Sequence, residues 1–164
     1  MGNTSSKFGL IASLGSLALL TGAWVFQALG YAPCAMCIWQ RYPHGIAIFI
    51  GLLVLFGLRH KILFLVGAIA AATTAGIGVF HTGVERDWWQ GPTSCTGTGL
   101  DMSTGADLLS TDVPINIVMC DQVAWEFLSL SMASWNAAFS FALVGLWVAA
   151  FLVREPKGRG AEIS

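Results

Sequence analysis

FGLIASLGSLALLTGAWVFQAL, Phe8 to Leu29, runs 22 residues without a formal charge, and its reading decides what kind of fold this is. About 20 helical residues cross the hydrocarbon core of a bilayer, so the stretch is long enough to span one. Two further stretches repeat the pattern: Ile62 to Phe80 has 19 uncharged residues and Ala133 to Val153 has 21. A fourth, from Ile38 to Leu58, is equally long but carries Gln40, Arg41, Pro43 and His44 in its first turns, and is read as a span with a polar outer end. The competing reading of Phe8 to Leu29 is a cleaved signal peptide. Its apolar run exceeds the roughly 7 to 15 residues of such a segment, only Lys7 stands before it, and no small-x-small cleavage site follows.

Composition agrees. Of 164 residues, 55% are hydrophobic and 10% charged, with a mean hydropathy of +0.71, well outside the range of an ordinary soluble domain. In hydrocarbon every backbone amide must find its partner within its own segment, so the spans must be helices. Short connections make them antiparallel neighbours. The expectation is an all-α membrane protein: a single domain over residues 1–164, built as an antiparallel four-transmembrane-helix bundle. Outer loops are expected at about 30–37 and 81–132, the long one between helices 3 and 4. Ala68, Ala72 and Gly76 recur at helical spacing in the third span and are expected to form a small-residue packing face.

Orientation follows from the cations. Lys7, Arg59, Lys61, Arg154, Lys157 and Arg159 all fall at one end of this topology, which the positive-inside rule assigns to the cytoplasm together with both termini. The long outer loop is acidic, with Glu85, Asp87, Asp101, Asp107, Asp112, Asp121 and Glu126 against Arg86. A surface of that sign has no affinity for nucleic acid, and no basic tail stands elsewhere.

The four cysteines all fall on the outer side: Cys34 and Cys37 in the first loop, Cys95 and Cys120 in the second. In bacteria the outer face of the inner membrane is the oxidising compartment, where disulfides form and persist. Cys34 and Cys37 make C-A-M-C directly before span two. A helix N-terminus there would stabilise a thiolate, the species that attacks disulfides. On spacing alone, a redox pair and half of a zinc site are about equally open. Haem attachment is not, because Ile38 stands where CxxCH needs histidine. Cys95 and Cys120 have 24 residues between them, with Gly and Pro scattered through the region, which suits a disulfide closing a loop better than a zinc knuckle; that bridge is read as either structural or reactive. Arg41 stands four residues after Cys37, so a helix puts both on one face, with the guanidinium expected near the thiol. Snorkelling to headgroups is the plainer account of such an arginine. His81 is placed at the outer end of span three, and His44 and Glu85 are weaker candidates for the same region.

The run YAPCAMCIWQRYPH, Tyr31 to His44, resembles the disulfide bond formation protein B (DsbB) family, and CDQVAWEFL, Cys120 to Leu128, agrees with it in order and spacing. The stretch DWWQGPTSC, Asp87 to Cys95, departs from that pattern. The resemblance implies an inner-membrane enzyme that reoxidises a periplasmic thioredoxin-fold (DsbA-like) dithiol oxidant and passes the electrons to ubiquinone or menaquinone. It implies catalytic roles for all four cysteines: Cys95 forming the mixed disulfide with the partner, Cys120 resolving it, Cys34 exchanging with that loop pair and Cys37 facing the quinone. It gives Arg41 and His81 to the quinone, and no metal. Two other readings of the residues are a quinone reductase of the vitamin K epoxide reductase type, in which the CxxC would be expected in a later span, and a membrane scaffold with two structural disulfides. Trp24, Trp39, Trp88, Trp89, Trp125 and Trp135 approach the outer boundary as belt residues, of which one or two are expected to wall a quinone pocket.

Overall fold

The computed structural model describes residues 4–92 and 119–153. Four helices account for most of them: α1 (Thr4–Ala28), α2 (Ala35–Leu55), α3 (Lys61–Glu85) and α4 (Met132–Leu152). Each is long and apolar enough to cross a membrane, and the protein is a multi-pass membrane protein. Outward-facing Leu14, Phe49, Ile69 and Phe141 remain exposed, the surface expected of helices whose solvent is lipid. Lys157, Arg154 and Arg159, which contribute to the orientation argument, lie outside the described residues, as does Cys95.

The ends of the helices differ from the sequence expectation in ways that matter. The second helix starts at Ala35, with Cys34 as its N-cap, so Cys37 is a helical residue and not part of the first outer loop. The third continues to Glu85, so His81 and Glu85 stand on a rigid helix and not in the long loop. A further element was not anticipated. Strands β1 (Glu126–Phe127) and β2 (Leu130–Ser131) pair antiparallel, joined through Leu128 and Ser129, both at positive φ, as the tightest two-residue hairpin turn requires. Arg86 donates to the Ser129 carbonyl at 2.9 Å, anchoring the hairpin to the end of α3.

Helices attract one another in lipid chiefly through close packing, which needs small residues at the contact. α3 packs most extensively on α4, and α2 lies between α1 and α3. The face that serves is not Ala68, Ala72 and Gly76: Ala72 and Gly76 are exposed, and only Ala68 is buried. The buried face is Gly67, Ala71, Thr74, Ala75 and Gly78, one step around the helix. Gly67 is covered by the indole of the fully buried Trp147, and Gly78 lies against Ala133 and Ala137. Ala12, Ala47, Phe64, Leu143 and Ala150 complete this core.

A methyl group added at Gly67 would stand 2.6 Å from the Trp147 ring, a rigid neighbour that has no room to yield. Gly67→Ala is therefore expected to lower stability by about 1 to 3 kcal/mol. Gly76→Ala, where a new Cβ would meet nothing within 4 Å, should be neutral or gain up to about 1 kcal/mol from helix propensity. Unfolding of the two variants in detergent micelles checks this, and equal stabilities would contradict the assigned face.

Candidate active site

The end of the bundle that carries Cys34, Cys37 and Cys120 is formed by the C-termini of α1 and α3 and the N-termini of α2 and α4. A cavity of about 460 Å³ opens there, lined by Cys34, Cys37, Arg41, His44, His81 and Glu85 amid largely apolar side chains. Its aromatic wall includes Phe26, Trp125, Phe127, Trp135 and Phe139, with successive rings in contact at centroid distances of 5.0 to 6.4 Å. Trp125 and Trp135 are thus the tryptophans of the pocket wall; Trp24, Trp39, Trp88 and Trp89 are exposed. Volume and lining fall in the range of small-molecule sites.

Cys34 occupies the position usually given to serine, threonine or aspartate. As N-cap of α2 it accepts a hydrogen bond from the Cys37 amide at 3.2 Å, and the orphan amides and dipole of the helix end favour negative charge there. Its sulfur lies 2.9 Å from that of Cys37 and 3.5 Å from Nε2 of His81. The hydrogen bond from Cys37 is the main cause that pulls the Cys34 thiol from an ordinary 9.0 down to about 4, against the cost of burial and with His81 adding to it. The proton shared by the two sulfurs therefore belongs to Cys37, and Cys34 is the thiolate. The other side of the His81 ring is held by Gln40, whose amide nitrogen lies 3.1 Å from Nδ1. Glu85 stands 3.7 Å from Nε2 and accepts a hydrogen bond from Ser131 at the head of α4.

Cys120 is fully buried in one small cluster with Cys34, Met36 and Val84. Cys34 and Cys37 are free thiols, whereas Cys120 is disulfide-bonded. The fold thus brings a residue of the long loop to the CxxC pair, with His81 in hydrogen-bond contact with the Cys120 backbone. Arg41 meets the sequence expectation only in part. It lines the same cavity as Cys37, but its hydrogen bond runs to Gln27 of α1 at 2.7 Å, a partner the sequence did not disclose. Among the described residues, Cys34, Cys37 and His81 offer three ligand atoms within 4.8 Å of one another, a set with which a metal ion could be held.

The family model described as "Disulfide bond formation protein DsbB" matches residues 5–150. The chain belongs to the DsbB family. The disulfide bond formation protein B of Verminephrobacter eiseniae is 32% identical over 90% of this chain and 86% of its own. That of Acidovorax sp. is 31% identical over 87% and 83%, and that of Xanthomonas oryzae pv. oryzae 30% over 85% and 83%. No solved structure matches the chain. As a DsbB-family member the protein is a membrane oxidoreductase of disulfide bond formation.

The lowered pKa of Cys34 carries a definite pH sign. Its thiolate is fully present above the folded value and is lost as pH falls through about 4. Alkylation of Cys34 in the dithiol protein, located by tandem mass spectrometry, should keep its pH-corrected rate from pH 8 down to about pH 5 and reach half near pH 4. A midpoint near the ordinary thiol value would contradict the assignment of the thiolate.

Proposed function

We propose that the protein reoxidises a reduced thioredoxin-fold dithiol of the periplasm and passes the two electrons, through two cysteine pairs, to ubiquinone or menaquinone in the inner membrane. The observation that carries this reading is the shared burial of Cys120 with Cys34 beside an apolar, aromatic-walled cavity. The cysteine-bearing end then faces the periplasm, with Lys7, Arg59 and Lys61 at the cytoplasmic end.

Thiol–disulfide exchange conserves electrons, so net oxidation of a partner needs a terminal acceptor. In the first step a thiolate of the partner attacks the Cys95–Cys120 disulfide at Cys95. The second partner sulfur, and not Cys120, whose attack would only restore the starting bridge, then displaces Cys95, leaving the partner oxidised and the loop pair as two thiols. Cys120, buried against Cys34, attacks the Cys34–Cys37 disulfide at Cys34, and closure of Cys95 on Cys120 leaves Cys34 and Cys37 reduced. The leaving Cys34 is stabilised as thiolate by the N-terminus of α2, by Cys37 and by His81, which makes the CxxC disulfide the stronger oxidant of the two pairs.

Re-forming the Cys34–Cys37 bond releases two electrons and the remaining thiol proton. A quinone bound in the cavity supplies the sink for two electrons and two protons. Arg41, through guanidinium N–H groups on the cavity wall, and the ring wall of Trp125, Phe127 and Trp135 are the residues that would hold and orient it; a fixed cation there stabilises negative charge developing on an acceptor oxygen.

Purified protein, a reduced thioredoxin-fold partner and ubiquinone under anaerobic conditions test the relay. Cys37→Ser should abolish quinone reduction from any thiol source. Cys95→Ser should block oxidation of the partner while a small dithiol still drives the CxxC–quinone step. Arg41→Ala is expected to raise KM for quinone about tenfold or more, with KM for the partner little changed. Equal residual activity in the two cysteine variants would remove the relay.

A further inference from the structure

The membrane-embedded part of the site holds a polar cluster larger than thiol exchange requires. Gln40 and His44 on α2, Thr74 and His81 on α3 and Asn136 on α4 form one hydrogen-bonded chain, and both histidines are at most 3% exposed. Buried polar groups in a membrane span are costly and commonly functional. The directions of these bonds can be read without seeing a hydrogen, because two backbone carbonyls in the chain can only accept.

The first anchor is the Met36 carbonyl, 3.2 Å from the amide nitrogen of Gln40. Turning the Gln40 amide over would face two acceptors at that distance, so the nitrogen belongs there. The same nitrogen then donates its second hydrogen to Nδ1 of His81 at 3.1 Å. The second anchor is the Gln40 carbonyl, which accepts from the Thr74 hydroxyl at 3.1 Å. With its hydrogen committed, Thr74 must accept from the Asn136 amide nitrogen at 3.2 Å. That orientation lets Asn136 donate to the Gln40 side-chain oxygen at 2.7 Å and leaves its own oxygen for Nε2 of His44 at 3.0 Å. Both anchors give the same answer for Gln40.

We propose that Gln40, held by Asn136, is a positioning residue that locks His81 as the Nε2–H tautomer, so that His81 donates to the Cys34 sulfur and is barred from ligating a metal ion. The proposal rests on Cys34 being the reactive thiolate and adds residues that touch neither sulfur. A metal-bound histidine gives up the proton on the ligating nitrogen and donates from the other, usually to a carboxylate or carbonyl. Here the other nitrogen faces an N–H. Two thiols and an imidazole within 4.8 Å have the donor set of a zinc site, and soft ions are a hazard for any dithiol in the envelope. The lock denies such an ion its third ligand.

The near-isosteric Gln40→Glu replaces the donating amide with a carboxylate that accepts from Nδ1–H, which frees the Nε2 lone pair. The test uses full-length protein reduced to the dithiol, without quinone or partner, so its outcome is separate from that of the relay. In 15N-histidine spectra at pH 8, wild-type His81, identified by its loss in His81→Asn, should show a protonated Nε2 and an acceptor Nδ1. The pattern should reverse in Gln40→Glu. Titrated with Co2+ alone, Gln40→Glu should take up one ion per chain with thiolate-to-cobalt charge-transfer absorption, about 10 to 100-fold more tightly than wild type. Asn136→Leu, should Gln40→Glu not fold, is expected to give a mixture of His81 tautomers. A protonated Nδ1 in wild-type His81, or Co2+ binding as tight in wild type as in Gln40→Glu, would overturn the proposal.

Discussion

The site depends on keeping one sulfur negative at the rim of a membrane. Cys34 achieves this by standing where a helix needs a cap: the free amides of the first turn of α2 have no other intrahelical partner, and a thiolate supplies the acceptor they lack. The Cys37 sulfur at 2.9 Å and His81 at 3.5 Å complete the shell. Burial works against this charge, so each donor must be held in place by the helix that carries it. That requirement explains why α3 runs on to Glu85 and does not stop at the apolar boundary near Phe80.

Bringing donors from two helices, α2 and α3, to one sulfur requires the helices to approach closely. Gly67, Ala71, Ala75 and Gly78 allow this on α3, and the approach lets Asn136 of α4 reach Gln40 of α2 across the bundle at 2.7 Å. Packing and chemistry are therefore coupled. A bulkier α3 face would loosen not only the core around Trp147 but also the amide chain that orients His81.

Much of the fold was legible because a bilayer leaves few choices. Uncharged runs of about 20 residues become helices there, and short connections make them antiparallel neighbours. Cys34, Cys37, Arg41 and His81, which line one cavity, were legible as site candidates through the CxxC, its spacing to Arg41 and the family likeness. Other features were not. The packing face of α3 was misassigned because alanines and glycines occur on every side of that helix, and periodicity cannot choose among equally small residues. Gln40 was legible only as part of a polar helix end and Asn136 gave no signal, since an amide in a span becomes meaningful only once its partner 96 residues away in sequence is known. The β1–β2 hairpin lacks the Asn-Gly or Asp-Gly turn that would announce it, using Leu128 and Ser129 instead. Gln27 as the partner of Arg41 depends on how α1 packs on α2, which no local pattern states.

The account turns on the loop pair and the CxxC pair being able to exchange directly, because Cys120 is buried against Cys34. The most direct measurement is to leave only those two sulfurs, in a Cys37→Ala, Cys95→Ala variant, and oxidise it mildly with diamide. Peptide mapping without reduction should find an intramolecular Cys34–Cys120 disulfide in most of the folded protein. If both thiols instead remain open to maleimide after oxidation, the two pairs do not meet and the relay is wrong.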